Sequence, residues 1–212
     1  MGRKIKFFAI ADLHDREKVL KEIERFNFSD IDALIMAGDI SSRFDFAEEV
    51  IDVMKKINKP CFYVPGNNES TEMEKLYREN GFSVHEKVVE FKDYKIAGFG
   101  FSPITPFDTP GELTEEEIEK RIFKLDVDNE TVLITHCPPK GILDKNFGSS
   151  SILKLVKEKK PFLHVFGHIH EIVGMEKHDK TVFINLPPAK DGKVALITII
   201  EKDVSFNVIN LF

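Results

Sequence analysis

Cysteine is scarce in this chain. Its 212 residues include two, Cys61 and Cys137. That is too few for a disulfide framework and fits a reducing compartment. Cys137 follows a histidine, so a ligand role is open to it, but a small buried thiol is the preferred reading for both. Excess positive charge is also missing. The formal net charge is −6, whereas a dedicated nucleic-acid binder usually carries a basic stripe. A small anionic substrate is not excluded, because a metal centre can supply local positive charge. Long apolar runs are absent. Met1–Lys6 is basic and Phe7–Ala11 apolar, but Asp12 ends the run too soon for a signal peptide. Val194–Ile200 is far short of a membrane span. No repeat, low-complexity tract or clear domain boundary is visible. These absences point to a cytoplasmic protein with no membrane segment, one domain over residues 1–212. Its 42% apolar content is enough for a core.

What is present is a strand–helix alternation. Ile5–Ala11 reads as a buried strand, with a helix to about Phe26 capped by Asp15. Ala33–Ala37 and Cys61–Val64 read as further strands around a helix over Phe44–Ile57. Thr71 and Glu74 have the spacing of a capping box for a helix to about Asn80, and Thr114 and Glu117 the same for one to about Leu125. Val88–Phe91 and Lys95–Phe99 read as neighbouring strands. Gly100–Glu112 is a proline-punctuated loop of the kind that is often functional or mobile. Its Phe107 is either a stacking surface for substrate or the apolar anchor of the loop. Thr131–Thr135, a helix capped within Ser149–Ser151, and Phe162–Phe166 follow. The helix start at Gly148–Ser150 could cradle an anion, although serine caps are ordinary. The remainder, Thr181–Leu186, Val194–Glu201 and Val204–Leu211, reads as all-β. Two sheets packed face to face with helices outside fit both halves.

Ligands of such sheets bind beyond the carboxyl ends of the strands. The polar groups at those ends are Asp12, His14, Asp39, Asn67, His136, His168 and His170. Each has an ordinary explanation as a cap, a turn residue or a strand-end polar group. Together they form a set of carboxylate, imidazole and amide-oxygen donors that suits divalent manganese, iron or zinc. Seven donors are too many for one ion and natural for two that share a carboxylate. Two metals about 3.5–4 Å apart are a device for phosphoryl chemistry.

Asp12-x-His14, Gly38-Asp39, Gly66-Asn67-x-Glu69, His136 and Gly167-His168-x-His170 resemble, in order, the five signature blocks of the calcineurin-like metallophosphoesterases. The runs Thr135–Gly141 and Leu163–Glu171 also resemble the small metallophosphoesterase-domain proteins described from brain. The resemblance implies an α/β, α+β-like fold: a four-layer β-sandwich of two mixed sheets flanked by helices. It implies that Asp12, His14 and His170 hold one metal, that Asn67, His136 and His168 hold a second, and that Asp39 bridges them. Manganese is the first candidate, with iron, zinc, cobalt and nickel behind it. A metal-activated hydroxide would then attack a small phosphate ester.

One departure bears on mechanism. Most family members carry a histidine after the asparagine of the third block, and it is thought to protonate the leaving group. This chain has Asn68 there, and an amide cannot act as a general acid near neutral pH. Asp39 and Asn68 are the catalytic candidates, and Asn68, Arg43 and Phe107 the substrate-contact candidates. The free histidines are His85, His164 and His178, with His164 read as a satisfied core residue. Asn185-Leu186-Pro187-Pro188 also departs from the Asn-Pro-Gly-Ser-like turn of relatives. The leading expectation is a phosphodiesterase for small or activated esters. A phosphoesterase-fold interaction scaffold, as in a subunit of retromer, is the alternative, and a nuclease the third. A homo-oligomer is compatible with the sequence.

Overall fold

The computed structural model describes residues 4–212. Residues 1–3, the start of the basic stretch Met1–Lys6, lie outside the described residues. Along the chain come β1 (Lys4–Ile10), α1 (Glu17–Arg25), β2 (Ala33–Ala37), α2 (Phe44–Ile57), β3 (Cys61–Val64) and α3 (Thr71–Glu79). Then follow β4 (Lys87–Phe91), β5 (Tyr94–Phe99), β6 (Ser102–Pro103), β7 (Glu112–Leu113), α4 (Glu115–Ile122) and β8 (Thr131–Thr135). The chain continues with α5 (Ser150–Lys159), β9 (Leu163–Phe166), β10 (Gly174–His178), β11 (Thr181–Asn185), a 3-10 turn (Ala189–Asp191), β12 (Lys193–Ile200) and β13 (Asp203–Asn210).

β1 shows how the layers arise. Successive strand residues face opposite sides. Phe7 and Ala9 enter one core, and Phe8 and Ile10 enter another. A strand buried on both faces needs a layer on each side. On one side the first sheet, β13-β12-β1-β2-β3, packs face to face with the second, β10-β11-β9-β8-β5-β4. Ile35, Val64, Ile96, Ile134, Val165 and Ile184 meet Phe7 there. On the other side α1 and α2 bring Val19, Leu20, Ile23, Phe46 and Val50 onto Phe8 and Met36. Ile118, Ile122, Ile152 and Leu155 of α4 and α5 cover the outer face of the second sheet. Burying one such side chain contributes about 1.5–3 kcal/mol, so the layering follows from the alternation in the strands. Both sheets are mixed. β1, β2 and β3 run parallel, as do β5, β8, β9 and β11, while β12, β13, β4 and β10 add antiparallel edges.

Several local expectations are corrected. Asp15 does not cap α1, whose first residue follows Arg16 with no side-chain cap. Its carboxylate instead accepts the Ser41 hydroxyl at 2.9 Å and the Ser42 amide, holding the loop after β2. Ser70, not Thr71, caps α3, because Glu74 is drawn away to Arg78 and Ser83. The Thr114–Glu117 capping box forms as read. The start of α5 takes no outside anion: Glu115 already accepts from Ser149 Oγ, Ser150 N and Ser151 N. β10 escapes the sequence because it is a largely exposed edge strand with no apolar alternation.

Candidate metal centre

The parallel strands of both sheets end at one edge, where the loops interlock. Asp12 N donates to Gly38 O at 2.9 Å, His14 N to Asp39 O at 3.0 Å, and Gly167 N to His136 O at 3.0 Å. The fit is tight enough to dictate glycine at two positions. A Cβ on Gly38 would stand 2.5 Å from His136 Nδ1, and its φ is +83°. A Cβ on Gly167 would meet Ala11 Cβ at 2.5 Å and Asp12 Oδ2 at 2.7 Å. Gly167 therefore serves close approach, and the left-handed turn falls on His168, at φ 72°. Asp12, His14 and Asp39 are left-handed as well, at φ 57°, 48° and 52°. Such backbone costs about 1–3 kcal/mol per residue and clusters at functional sites.

The edge brings together all seven donors read from the sequence. Asp12 is 1% exposed, Asp39 3% and His136 0%. His136 Nδ1–H donates to Ala37 O at 2.9 Å. That turns Nε2 toward Asn67 Oδ1 at 2.9 Å, His168 Nδ1 at 3.1 Å and Asp39 Oδ2 at 3.6 Å. His14 Nε2 lies 3.8 Å from Asp39 Oδ2 and 3.9 Å from Asp12 Oδ1. His170 Nε2 is 3.1 Å from Asp12 Oδ1. Asp39 thus stands between two groups of donors. His14 Nε2 is buried without a hydrogen-bond partner, and Asp12 Oδ1 faces it with only His170 Nε2 beside it. An unpaired buried polar atom costs about 1–3 kcal/mol, and a cation between these facing atoms would satisfy both. The donors fit divalent ions on that ground and on their chemistry.

The electrostatics agree. Burial alone would raise Asp12, but the imidazoles of His170, His136 and His14 hold its carboxyl below the usual range. Burial lowers His14 despite Asp39 and Asp12, which keeps it neutral and ligand-ready. Burial and neighbouring His136 bring His168 down to about 4. Burial would also lower His136, but Asp39 and Asp12 outweigh it and raise it.

The other candidates divide. Asn68 is at the edge: its amide N–H donates to Asp39 Oδ1 at 2.9 Å and its side-chain NH₂ to Asp39 Oδ2. Arg43 is not turned inward; it pairs with Asp45 at 3.3 Å and Glu17 at 3.7 Å. Phe107 is 77% exposed and anchors nothing, whereas Phe101 is buried in the same loop. Cys137 is a buried thiol whose Sγ donates to Pro138 O. His85 accepts from Gly100 N, and exposed His178 pairs with Glu176. His164 bonds Thr135 through Nε2, but its Nδ1 has no partner, so it is only half satisfied. None of these three replaces the absent acid at Asn68.

Two residues escaped sequence reasoning. Glu69 is fully buried and accepts from Asp39 N, Ile40 N, Ser41 N and Gly66 N, fixing the loop that carries Asp39. Burial and the Asp39 charge push its carboxyl up to about 7. Its place in the third block was the available signal. Lys190 donates from Nζ to His170 Nδ1 at 2.8 Å, and nothing in the sequence marked it.

Comparison with known proteins bears on this geometry. The family model for calcineurin-like phosphoesterase matches residues 5–171. The uncharacterized protein MJ1162 of Methanocaldococcus jannaschii is 29% identical over 202 residues, 89% of this chain and 90% of that protein. Metallophosphoesterase domain-containing protein 1 of Homo sapiens is 41% identical over 61 residues, 26% of this chain and 19% of that protein. The structure of TT1561 of Thermus thermophilus shares the fold at 16% identity, with a TM-score of 0.76 over 99% of this chain and 100% of that one. The matched stretch runs from β1 to the end of the Gly-His-x-His loop, and the chain belongs to the calcineurin-like phosphoesterases.

Proposed function

We propose that this chain is a dinuclear-metal phosphodiesterase acting on small esters with good leaving groups. The observation that carries the reading is the gathering of the buried carboxylates Asp12 and Asp39 with His136, His170 and the unpartnered Nε2 of His14. Asp12, His14 and His170 would hold one ion, Asn67, His136 and His168 a second, with Asp39 shared between them. Two divalent ions, manganese first among them, would supply an acidified water and positive charge for the phosphoryl oxygens. The chain's own residues do the rest. Glu69 fixes the Asp39 loop, and Ala37 O fixes the His136 tautomer.

Asn68 supports the substrate preference. Its backbone N–H and one hydrogen of its side-chain NH₂ go to Asp39, and it has no ionisable proton to give an alkoxide. Aryl or similarly stable leaving groups need no such proton. Phe107, exposed on a loop bonded to Asn67 through Thr109, is the candidate contact for an apolar leaving group. The net charge of −6 weighs against a nuclease. A mere interaction scaffold would have no need of the convergent donors. The two free cysteines fit a cytoplasmic setting, and no helix among the described residues is long and apolar enough to cross a membrane.

The test is hydrolysis of an aryl phosphodiester and the matching monoester by metal-stripped protein reloaded with manganese. Metal-dependent turnover that favours the diester and is lost in Asp39→Ala supports the proposal. Fully loaded protein inert on both activated esters would move the scaffold reading ahead.

A further inference from the structure

The loop between β5 and α4 is closed by one carboxylate. Glu112 Oε1 accepts from Thr105 Oγ1 at 2.5 Å, Thr109 Oγ1 at 2.6 Å and Thr109 N at 3.1 Å, and Oε2 accepts from Thr105 N at 3.0 Å. The loop is tied to the metal edge as well, through Gly111 N to Asn67 O and Phe101 N to Pro65 O, both at 2.8 Å. Thr109 Oγ1 lies 3.1 Å from Asn67 Nδ2.

The polarity of this chain of bonds has one solution. A hydroxyl has a single proton. Thr109 gives it to the carboxylate, which can only accept, so toward Asn67 the hydroxyl must accept. The end of the Asn67 amide that faces Thr109 is therefore the NH₂, and Oδ1 is left facing His136 Nε2 at 2.9 Å. The two ends of an amide are nearly alike in shape, but only the oxygen can ligate a cation. An asparagine without this partner would offer either end.

The structure assigns Thr109 and Glu112 the role of positioning residues that hold the oxygen of Asn67 toward the second metal and so set its affinity. Glu112 is suited to this. Burial would raise its carboxyl, but the bonds from Thr105 and Thr109 outweigh it and bring it down to about 2, so it remains an acceptor at any working pH. The inference rests on the dinuclear reading above.

The experiment is calorimetric titration of the metal-stripped full chain with manganese chloride. In Thr109→Val, which keeps the shape and loses the hydroxyl, the second ion should bind about ten- to hundredfold more weakly, with the first unchanged. Thr109→Ser should restore the wild-type value, a rescue that a purely space-filling role would not give. Glu112→Gln, able to turn an N–H toward Thr109 and reverse the chain, should shift the second ion in the same direction; it decides alone if Thr109→Val fails to fold. Two ions bound with wild-type affinities in both Thr109→Val and Glu112→Gln would overturn the assignment and leave the metal reading standing. Wild-type protein that takes up no manganese would overturn the metal reading itself, and the assignment with it.

Discussion

The two halves of the proposed metal centre are held in different ways. Asn67, His136 and His168 are oriented from behind: Ala37 O and Thr109 fix two of them, and His136 is wholly buried. His14 and His170 have side chains 29% exposed, and the nearest partner of the outer nitrogen of His170 is an ammonium. A buried donor pays for its place when the chain folds and then needs no reorganisation to bind. A partly exposed ring stabilises the fold less and is held by fewer neighbours. The closed half is therefore the one that should retain its ion, and the open half the one where solvent and substrate exchange.

The largest effect should come where the halves meet. Asp39→Ala removes the shared carboxylate, so both ions should be lost from dialysed protein and kcat/KM on an aryl phosphodiester should fall by at least about a thousandfold. Metal analysis beside the assay checks it; an Asp39→Ala protein that keeps one ion would mean the halves are independent. Single changes in each half sharpen the contrast. His136→Ala should destabilise metal-stripped protein by about 2–4 kcal/mol, because the side chain is fully buried and bonded to Ala37 O. His14→Ala should cost less than about 1 kcal/mol and yet lose the first ion. Equal shifts in urea midpoint for the two variants would erase the distinction.

How far the sequence carried depends on which forces act locally. The strands Ala33–Ala37, Cys61–Val64 and Thr131–Thr135 and the helix Phe44–Ile57 fall where they were read, since burial on both faces leaves a plain apolar signal. The seven donors were legible because parallel strands deliver their ends to one edge. What was not legible depends on partners distant in the chain. Asp15 looked like a cap until Ser41 and Ser42 came into reach. Gly167 is demanded by the approach of Ala11 and Asp12, which lie far away in the chain. Phe107 looked like an anchor because exposure of an aromatic ring cannot be read from a loop sequence.

The histidines away from the edge give a control on pH. Burial and the Arg121 charge bring His85 down to about 3 against the pull of Glu86, and burial brings His164 down to about 3. Their ordinary value is 6.5. Between those values the unfolded chain binds protons that the folded chain does not. Their contribution is thus fully present above about pH 6.5 and is lost as pH falls toward 3. From pH 7.5 to pH 5 each should remove about 2 kcal/mol from the stability of metal-stripped protein. His85→Asn retains an acceptor for Gly100 N and should flatten the slope by that amount. Urea unfolding at the two pH values measures it. Parallel slopes for variant and wild type would show that His85 is not held neutral.

The smallest effect concerns Lys190, the feature that most sets the open half apart. Its ammonium donates to Nδ1 of His170, so a neutral His170 carries its ring proton on Nε2, the nitrogen that faces Asp12 Oδ1. Binding of an ion at Nε2 would require that proton to move to Nδ1, where the Lys190 ammonium stands. A divalent ion about 6 Å from an ammonium in a watery dielectric is repelled by about 1.4 kcal/mol. Lys190→Met keeps the length of the side chain and removes the charge. It should tighten the first ion about tenfold in a manganese titration and leave the second unchanged. Raising the salt should shrink that difference, because the open half is reached by solvent ions. A first ion that bound more weakly in Lys190→Met would mean that Lys190 holds the His170 ring in place rather than competing with the metal, and the two halves would then both be oriented from behind.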